Sequence, residues 1–137
     1  MPVKRVSPDE ARELMEKMGY VYVDVRSIPE FEAGHPEGAY NVPLAHSGPH
    51  GMVPNTEFLI VMQKHFPKDA KIVVGCQSGG RSLQAATLLL ATGYVDVIDQ
   101  RAGYAGSNEP GWARKGLPTA TEARADRTFA ALAGKPK

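Results

Sequence analysis

The stretch from Ile72 to Ser82 constrains the fold of this chain more than any other. It opens with an apolar, β-branched run up to Val74, which is typical of a buried strand. A short loop that contains Gly79 and Gly80 follows. Four residues then recur at helical spacing: Leu83, Ala86, Thr87 and Leu90. The pattern predicts a strand that passes through a glycine-containing loop into a helix.

The only cysteine, Cys76, stands at the carboxyl end of that strand and just before the helix. Unpaired backbone N–H groups point into such a loop, and the helix dipole favours negative charge there. A free cysteine is more often a small, buried apolar side chain. Here the polar neighbours Gln77, Ser78 and Arg81, and the room left by the glycines, favour a nucleophilic thiolate instead.

Length, charge and cysteine count exclude several classes of protein. A chain of 137 residues fits one domain with a single core. Sixteen Lys and Arg stand against fifteen Asp and Glu, without a long basic run, which argues against nucleic acid as a partner. One cysteine cannot close an intrachain disulfide, so an enzyme that resolves its own disulfide is excluded. Transfer of a group to an external acceptor is not excluded.

The amino-terminal residues bear on the location of the protein. Met1 to Val6 contain no apolar signal core, and no apolar stretch of the sequence is long enough to span a bilayer. We therefore expect a cytoplasmic protein in a reducing compartment, with no membrane partner.

Strands and helices alternate along the chain. Helices are predicted over 8–18, 30–34, 55–66 and 83–91, with a last one over about 121–133 that is capped by Thr121 and faces the domain with Ala125, Phe129 and Leu132. Strands are predicted over 21–25, 39–43, 71–75 and 95–99, and 44–54 is expected to be a loop. This alternation predicts an α/β fold with a mostly parallel sheet of about five strands and helices on both faces. Ligands of such sheets bind beyond the carboxyl ends of the strands, where Cys76 stands.

Four segments occur in an order shared with one known family. They are Asp24-Val25-Arg26 with Glu30-Phe31, the run Gly34 to Pro43, the run Cys76 to Ser82, and the closing residues Gly103, Trp112 and Gly116-Leu117-Pro118. Over about Arg5 to Thr119 the chain resembles the rhodanese family, specifically its single-domain sulfurtransferases. The resemblance implies one rhodanese-like domain over 1–137, with its core over about 5–119. The chain departs from the family where Ala102-Gly103 replaces a usual Gly-Gly pair.

The resemblance implies sulfur transfer. Four residues separate Cys76 from Arg81, and family members with this spacing transfer sulfur, whereas a loop longer by one residue goes with related phosphatases and arsenate reductases. A shorter loop curls its N–H groups around a single sulfur, while phosphate needs a wider cradle. The expected cycle moves sulfur from thiosulfate to cyanide or to a thiol, small or on a protein, through a persulfide.

Each site residue has an expected role in this cycle. Cys76 is the catalytic nucleophile, and the substrate sulfur is held by the loop that follows it: Gln77, Ser78, Gly79, Gly80 and Arg81. Supporting roles fall to Asp24 as a loop brace, to Arg26 as a partner of Glu30 or Glu32, and to Ser82 as an additional donor. The Arg81 side chain either attracts the anionic donor or ties the loop to Asp24 or Glu30.

Several other residues carry weaker expectations. His46 and His50 either face the substrate or are exposed loop histidines, and Arg101 is either an anion contact or an exposed cation. His35 is expected to be structural and Trp112 to pack in the core or at its rim. No metal or organic cofactor is implied, because the four histidines (His35, His46, His50 and His65) lack the spacing of a zinc site.

Three other functions remain beside the enzyme. The main alternative is a persulfide carrier that a protein partner loads at Cys76. A phosphatase or arsenate reductase is disfavoured by the loop length and by the lack of a second cysteine. A non-catalytic regulatory domain is disfavoured by the intact loop from Cys76 to Arg81.

Overall fold

The chain alternates between strands and helices throughout. The structure, a computed structural model, describes residues 3–122 and 126–134. The elements are β1 (Lys4–Val6), α1 (Pro8–Lys17), β2 (Val21–Asp24), α2 (Ile28–Ala33), β3 (His35–Pro36), β4 (Tyr40–Asn41), β5 (Ala45–Gly48), β6 (Gly51–Pro54), α3 (Phe58–His65), β7 (Ile72–Gly75), α4 (Gly80–Ala91), β8 (Val97–Gln100), β9 (Thr119–Ala120) and α5 (Phe129–Leu132). No helix within these residues is both long and apolar enough to cross a membrane.

Five strands form one parallel sheet in the spatial order β1-β8-β7-β2-β4. The predicted α/β fold with a five-stranded parallel sheet is therefore confirmed. β7 lies in the middle of the sheet, and its last residue, Gly75, pairs with Asp24 at the end of β2. The carboxyl ends of these strands meet at one edge, where the chain leaves the sheet toward Cys76.

Helices cover both faces of the sheet, as the alternation predicts. Alternate side chains of a strand point to opposite faces, so Val23 and Val74 join one core while Tyr22 and Val73 join the other. The first core is completed by α3, α4 and α5. The second is completed by α1, α2 and the buried ring of Trp112, which meets Tyr22 edge to face at 5.5 Å.

The amino-terminal helix begins as its sequence predicts. The Ser7 hydroxyl accepts a hydrogen bond from Glu10 N, and the Glu10 carboxylate accepts one from Ser7 N. This capping box satisfies two backbone donors that the first turn leaves open. The hydrogen bond from Ser7 N, helped by the Ser7 hydroxyl, holds the pKa of the Glu10 carboxyl below its usual value.

Two predicted segments differ from the structure. Residues 44–54 are not a loop but contain the antiparallel hairpin β5–β6, which closes between Gly48 and Gly51. Gly51 has φ +114°, a conformation that glycine adopts without strain in a tight turn. The segment contains too few apolar residues in alternation for its strands to be predicted from the sequence. The region 55–66 becomes helical only at Phe58, because Asn55 Oδ1 accepts from Glu57 N in a turn before the helix.

The terminal helix is shorter than predicted. It begins at Phe129 and is capped by Thr128, whose hydroxyl accepts from Ala131 N, rather than by Thr121. Phe129 and Leu132 are buried against the domain, as expected. Ala125, which was placed on the same face, lies outside the described residues.

The close fit at the end of β7 gives a test of the fold. A Cβ on Gly75 would overlap the hydroxyl of Tyr22, a side chain that is 1% exposed and held inside the second core. We expect Gly75→Ala to lower the free energy of unfolding by about 1–3 kcal/mol, measured by urea denaturation, because the core must deform. The matched control is Gly80→Ala, where a Cβ meets nothing within 4 Å. Equal stability of the two variants would contradict this packing.

Candidate active site

Cys76 lies in a tight loop between the central strand and α4. Its side chain is buried, with 2% of the residue exposed. Gly79 N donates a hydrogen bond to Cys76 Sγ at 3.0 Å, and Ser82 Oγ lies 3.4 Å from the same sulfur. The loop therefore curls around the sulfur of its own cysteine. The structure brings Cys76, Gly79 and Ser82 into direct contact, as their spacing suggests.

Gly79 makes this curl possible. It is the N-cap of α4 and has φ +111°, in the region that favours glycine. A Cβ at this position would also overlap the backbone oxygen of Arg101. With no side chain to cap the helix, Gly79 offers its own N–H to the sulfur, where the dipole of α4 adds to the attraction for negative charge.

The mouth of the loop is open although the sulfur is buried. Ser78 and Gly80 are exposed, and Gln77 and Arg81 are half-buried. These residues form the outer surface of the loop, above the buried sulfur.

Arg81 is tied to α2 by an ion pair. Its Nη1 and Nη2 donate to the two carboxylate oxygens of Glu30 at 2.7 and 2.9 Å. Of the two arrangements expected for Arg81, the structure shows the tie to a carboxylate, that of Glu30. The hydrogen bonds from Arg81 lower the pKa of Glu30 to about 2, with help from Ser27 and against the effect of burial. The same bonds raise the pKa of Arg81.

Arg26 pairs with Asp24, not with Glu30 or Glu32 as predicted. Its Nη2 donates to Asp24 Oδ2 at 2.7 Å, and both side chains are buried. Glu30 is engaged by Arg81, and Glu32 lies on the exposed side of α2. Asp24 ends a central strand, so the pair is anchored in the sheet.

The other side of the Arg26 guanidinium reaches the active loop, which runs from Cys76 to Arg81. Nη1 donates to Gln77 Oε1 at 3.0 Å, while the guanidinium stacks on the ring of Tyr104 at 4.4 Å. The side chain that directly follows the cysteine is thereby oriented by a buried cation that is itself held by Asp24.

The segment after β8 forms the floor of the loop. Tyr104 N donates to Cys76 O at 2.7 Å, and Ala105 N and Gly106 N donate to Gln77 O at 3.1 and 3.2 Å. A Cβ on Gly103 would overlap these same backbone oxygens. The loop is thus docked by direct backbone contact.

Gln100 shapes this floor, and sequence reasoning missed it. Its side chain is fully buried, and Oε1 accepts from Ala102 N at 2.9 Å and Gly103 N at 2.8 Å. A polar residue at the end of a buried strand, three residues before a glycine, is the signal that points to such a backbone clamp.

The remaining candidates lie in structural roles or at the periphery. His35 Nδ1 contacts Phe31 O at 2.7 Å and its ring stacks on Phe31, as expected for a structural residue. The ring of His46 packs at 5.5 Å from Phe129, and His50 is exposed in the turn of the hairpin. The Arg101 side chain binds Glu109, at 2.9 Å from Nε to Oε1.

The fold and the site together define a class of protein. A five-stranded parallel sheet delivers a cysteine into a loop of backbone donors at the start of a helix, which is the arrangement of a rhodanese-like domain. The family model described as "Rhodanese-like domain" matches residues 7–109. The chain belongs to the rhodanese family.

Named relatives narrow this assignment. The chain is 46% identical over 101 residues to thiosulfate sulfurtransferase 16, chloroplastic, of Arabidopsis thaliana, covering 74% of this chain and 80% of that protein. It is 31% identical over 121 residues to thiosulfate sulfurtransferase GlpE of Haemophilus influenzae, covering 88% and 98%. Two other relatives are longer, and the chain spans 51% and 56% of their lengths.

A solved structure shows the same fold. The crystal structure of Rv0390 from M. tuberculosis superposes with a TM-score of 0.77 at 26% identity, covering 89% of this chain and all of that one. The chain is therefore a member of a rhodanese-like sulfurtransferase family with thiosulfate sulfurtransferases among its relatives.

The ion pair of Glu30 predicts a specific pH dependence of stability. Because its pKa falls from 4.5 to about 2 on folding, the pair stabilises the protein above pH 4.5 and loses this effect as the pH falls toward 2. We expect Glu30→Gln to cost about 1 kcal/mol at pH 7, since the pair is partly exposed, and progressively less in acid. Urea midpoints from pH 7 to 2 measure this difference.

The matched control for that series is Glu32→Gln, which removes an exposed carboxylate from the same helix. Its urea midpoint should follow that of the unmodified protein across the range. A Glu30→Gln deficit that stays constant down to pH 2 would contradict the assigned ion pair.

Proposed function

We propose that this chain is a thiosulfate sulfurtransferase that carries sulfur as a persulfide on Cys76. The observation that carries the proposal is the contact between Gly79 N and Cys76 Sγ at 3.0 Å, inside a loop that is open at its mouth. The thiosulfate sulfurtransferases among the relatives support the choice of donor.

In the first half-reaction the Cys76 thiolate attacks the outer sulfur of thiosulfate. A bond forms between Sγ and that sulfur, the S–S bond of thiosulfate breaks, and its electron pair leaves with sulfite. Charge is conserved, because the thiolate charge ends on the terminal sulfur of the persulfide. Backbone N–H groups at the start of α4 are the donors available to this sulfur.

In the second half-reaction an acceptor nucleophile attacks the terminal sulfur. The S–S bond of the persulfide breaks and its electron pair returns to Cys76 as thiolate. Cyanide serves as acceptor in an assay and a thiol, small or on a protein, in the cell. The cytoplasm remains the predicted location.

The loop holds the transferred sulfur with dipoles rather than with a free cation. Arg81 is already neutralised by Glu30, whose pKa of about 2 keeps the pair charged at any physiological pH. The helix dipole and the N–H of Gly79 therefore provide the attraction for the charged sulfur.

Intact mass of the purified protein tests the proposal. Treatment with thiosulfate should add one sulfur atom, and cyanide should remove it. Cys76→Ser should gain no sulfur, and its turnover with thiosulfate and cyanide should fall on the order of 10³-fold or more. Ser47→Ala, in the exposed hairpin, is the control that should load like the unmodified protein.

The same measurement separates the enzyme from the carrier. Loading by thiosulfate that cyanide reverses supports the sulfurtransferase. If thiosulfate does not load the protein, the sulfurtransferase proposal is wrong and the carrier remains. A persulfide-bearing cysteine desulfurase would then replace thiosulfate as the sulfur source in the experiment.

A further inference from the structure

The side chain of Gln77 directly follows Cys76 and is held in one orientation. Its Oε1 accepts a hydrogen bond from Arg26 Nη1 at 3.0 Å. Because the guanidinium of arginine has donors and no acceptor, the amide oxygen of Gln77 must face Arg26 and the amide NH2 group must point away from it. With the amide turned over, two donors would oppose each other. The chemistry of its partner therefore fixes which end of the Gln77 amide is turned away from Arg26.

Arg26 is itself held in place from several sides. Its Nε and Nη2 donate to the carboxylate of Asp24, and Nη2 also donates to Gly34 O. The guanidinium stacks on the ring of Tyr104, and the side chain is 3% exposed. Asn41 Nδ2 donates to the backbone oxygens of Asp24 and Arg26 at 3.0 and 3.1 Å. The cation that orients Gln77 is thus anchored where β2 ends.

The amide nitrogen of Gln77 is available for binding. Within the described ranges, 3–122 and 126–134, Gln77 Nε2 has no acceptor, and the atom is not buried. The Gln77 backbone is fixed as well, because its oxygen accepts from Ala105 N and Gly106 N. Gln77 thus presents two oriented N–H donors beside Cys76, and the reaction described above uses neither of them.

The oxygens of thiosulfate belong outside the curl of the active loop. The inner side of the loop closes on the cysteine, with Gly79 N at 3.0 Å and Ser82 Oγ at 3.4 Å from Cys76 Sγ. Thiosulfate reacts through its outer sulfur, whereas the three oxygens are carried by the other sulfur atom. Thiosulfate bound with its outer sulfur at Sγ therefore keeps its sulfonate group at the mouth of the loop.

Three side chains at this mouth carry hydrogen-bond donors: Gln77, Ser78 and Arg81. Both terminal nitrogens of Arg81 donate to the carboxylate of Glu30. Ser78 is exposed, and no hydrogen bond orients its hydroxyl among the described residues. Of the three, Gln77 combines a fixed side chain with unbonded N–H donors, which makes it the best-prepared partner for an oxygen of the ligand.

We propose that Arg26 positions the Gln77 amide to donate to the sulfonate oxygens of thiosulfate, so that Gln77 favours sulfur donors whose leaving group carries oxygen. The inference rests on the proposed function and deepens it. When the Cys76 thiolate bonds to the outer sulfur, the S–S bond breaks and its electron pair leaves with sulfite. The negative charge on the leaving group grows in this step, so a hydrogen bond from Gln77 strengthens as the reaction proceeds.

The first test compares the rates at which two sulfur donors load the protein, read by intact mass. Ethyl persulfide gives its outer sulfur to the Cys76 thiolate as thiosulfate does: its S–S bond breaks, and ethanethiol leaves with the electron pair and the proton. This donor has no oxygen. Gln77→Met keeps the length of the side chain and removes its donors, so loading by thiosulfate should slow about tenfold and loading by ethyl persulfide less than about twofold. Equal changes with both donors, or no change, would overturn the proposal.

Two further variants test the chemistry of the amide. Gln77→Glu keeps an oxygen for Arg26 but places a carboxylate where the NH2 group stood, so the ratio of the thiosulfate rate to the ethyl persulfide rate should fall below that of Gln77→Met. A ratio above that of Gln77→Met would contradict the assignment. Gln84→Met, at an exposed glutamine of α4, is the matched control and should keep the ratio of the unmodified protein.

Arg26→Lys separates positioning by Arg26 from a purely structural role. Lysine keeps a cation beside Asp24 but lacks the fork that reaches Gln77. The ratio of the two rates should fall in Arg26→Lys and should not fall further when Arg26→Lys is added to Gln77→Met. Equal falls in both backgrounds would refute positioning through Gln77.

NMR of the side-chain amides tests the same points without sulfur transfer and with Arg26 in place. In Cys76→Ser, the Gln77 amide should be as rigid on the ps–ns timescale as the backbone, and thiosulfate should shift its proton signals until they saturate. The Gln84 amide should be mobile and should not shift. A mobile Gln77 amide, or one that thiosulfate leaves unshifted, would overturn the proposal. If thiosulfate does not load the unmodified protein, the proposed function fails; if it loads and the Gln77 variants keep the ratio, only this inference fails.

Discussion

The site depends on the direct contact of two backbone segments at glycines. Gly79 packs against the backbone oxygen of Arg101, and Gly103 packs against the backbone oxygens of Cys76 and Gln77. Any side chain at either position would push the active loop off the segment that follows β8. Because the two segments touch, Tyr104 N can bond Cys76 O, and the loop can curl until Gly79 N reaches the sulfur. The geometry of the loop around Cys76 is therefore set by backbone packing rather than by flexible side chains.

Two arginine–carboxylate pairs support this loop. Because they differ in burial, the loss of one partner would have a different energetic cost in each pair. The Arg26–Asp24 side chains are 3% and 2% exposed, so the loss of one partner would leave a buried charge that costs about 3–5 kcal/mol. The Arg81–Glu30 side chains are 25% and 31% exposed, and solvent weakens the corresponding cost. The buried pair thus secures the fold beneath the loop, while the outer pair mainly sets the direction of the first turn of α4.

The fold and the position of Cys76 in its loop could be predicted because they rest on local patterns. Three local patterns each predict one feature: the apolar run before Gly75 predicts a strand, the glycines after Cys76 predict a loop, and the capping box at Ser7 predicts the start of a helix. The structure has all three. The partner of Arg26 could not be predicted, because Asp24, Glu30 and Glu32 are all near it in sequence. Only the packing shows that Glu30 forms an ion pair with Arg81 instead. The hairpin over 45–54 has too little apolar alternation to be recognised, and the roles assigned to the loop side chains remain predictions.

The size of the loop favours a small cargo, such as a single sulfur atom. The sulfur of Cys76 is already within hydrogen-bond distance of Gly79 N, so the curl of the loop closes at the size of one sulfur atom. Arg81 is neutralised by Glu30, and Arg26 is neutralised by Asp24. A phosphate, with its three outer oxygens, would need a wider ring of donors than a loop that closes around one sulfur. A persulfide carries one charge on a narrow, polarisable atom, which the N–H groups and the dipole of α4 can stabilise without further cations. The narrow curl of the loop therefore supports our proposal that it handles sulfur rather than phosphate.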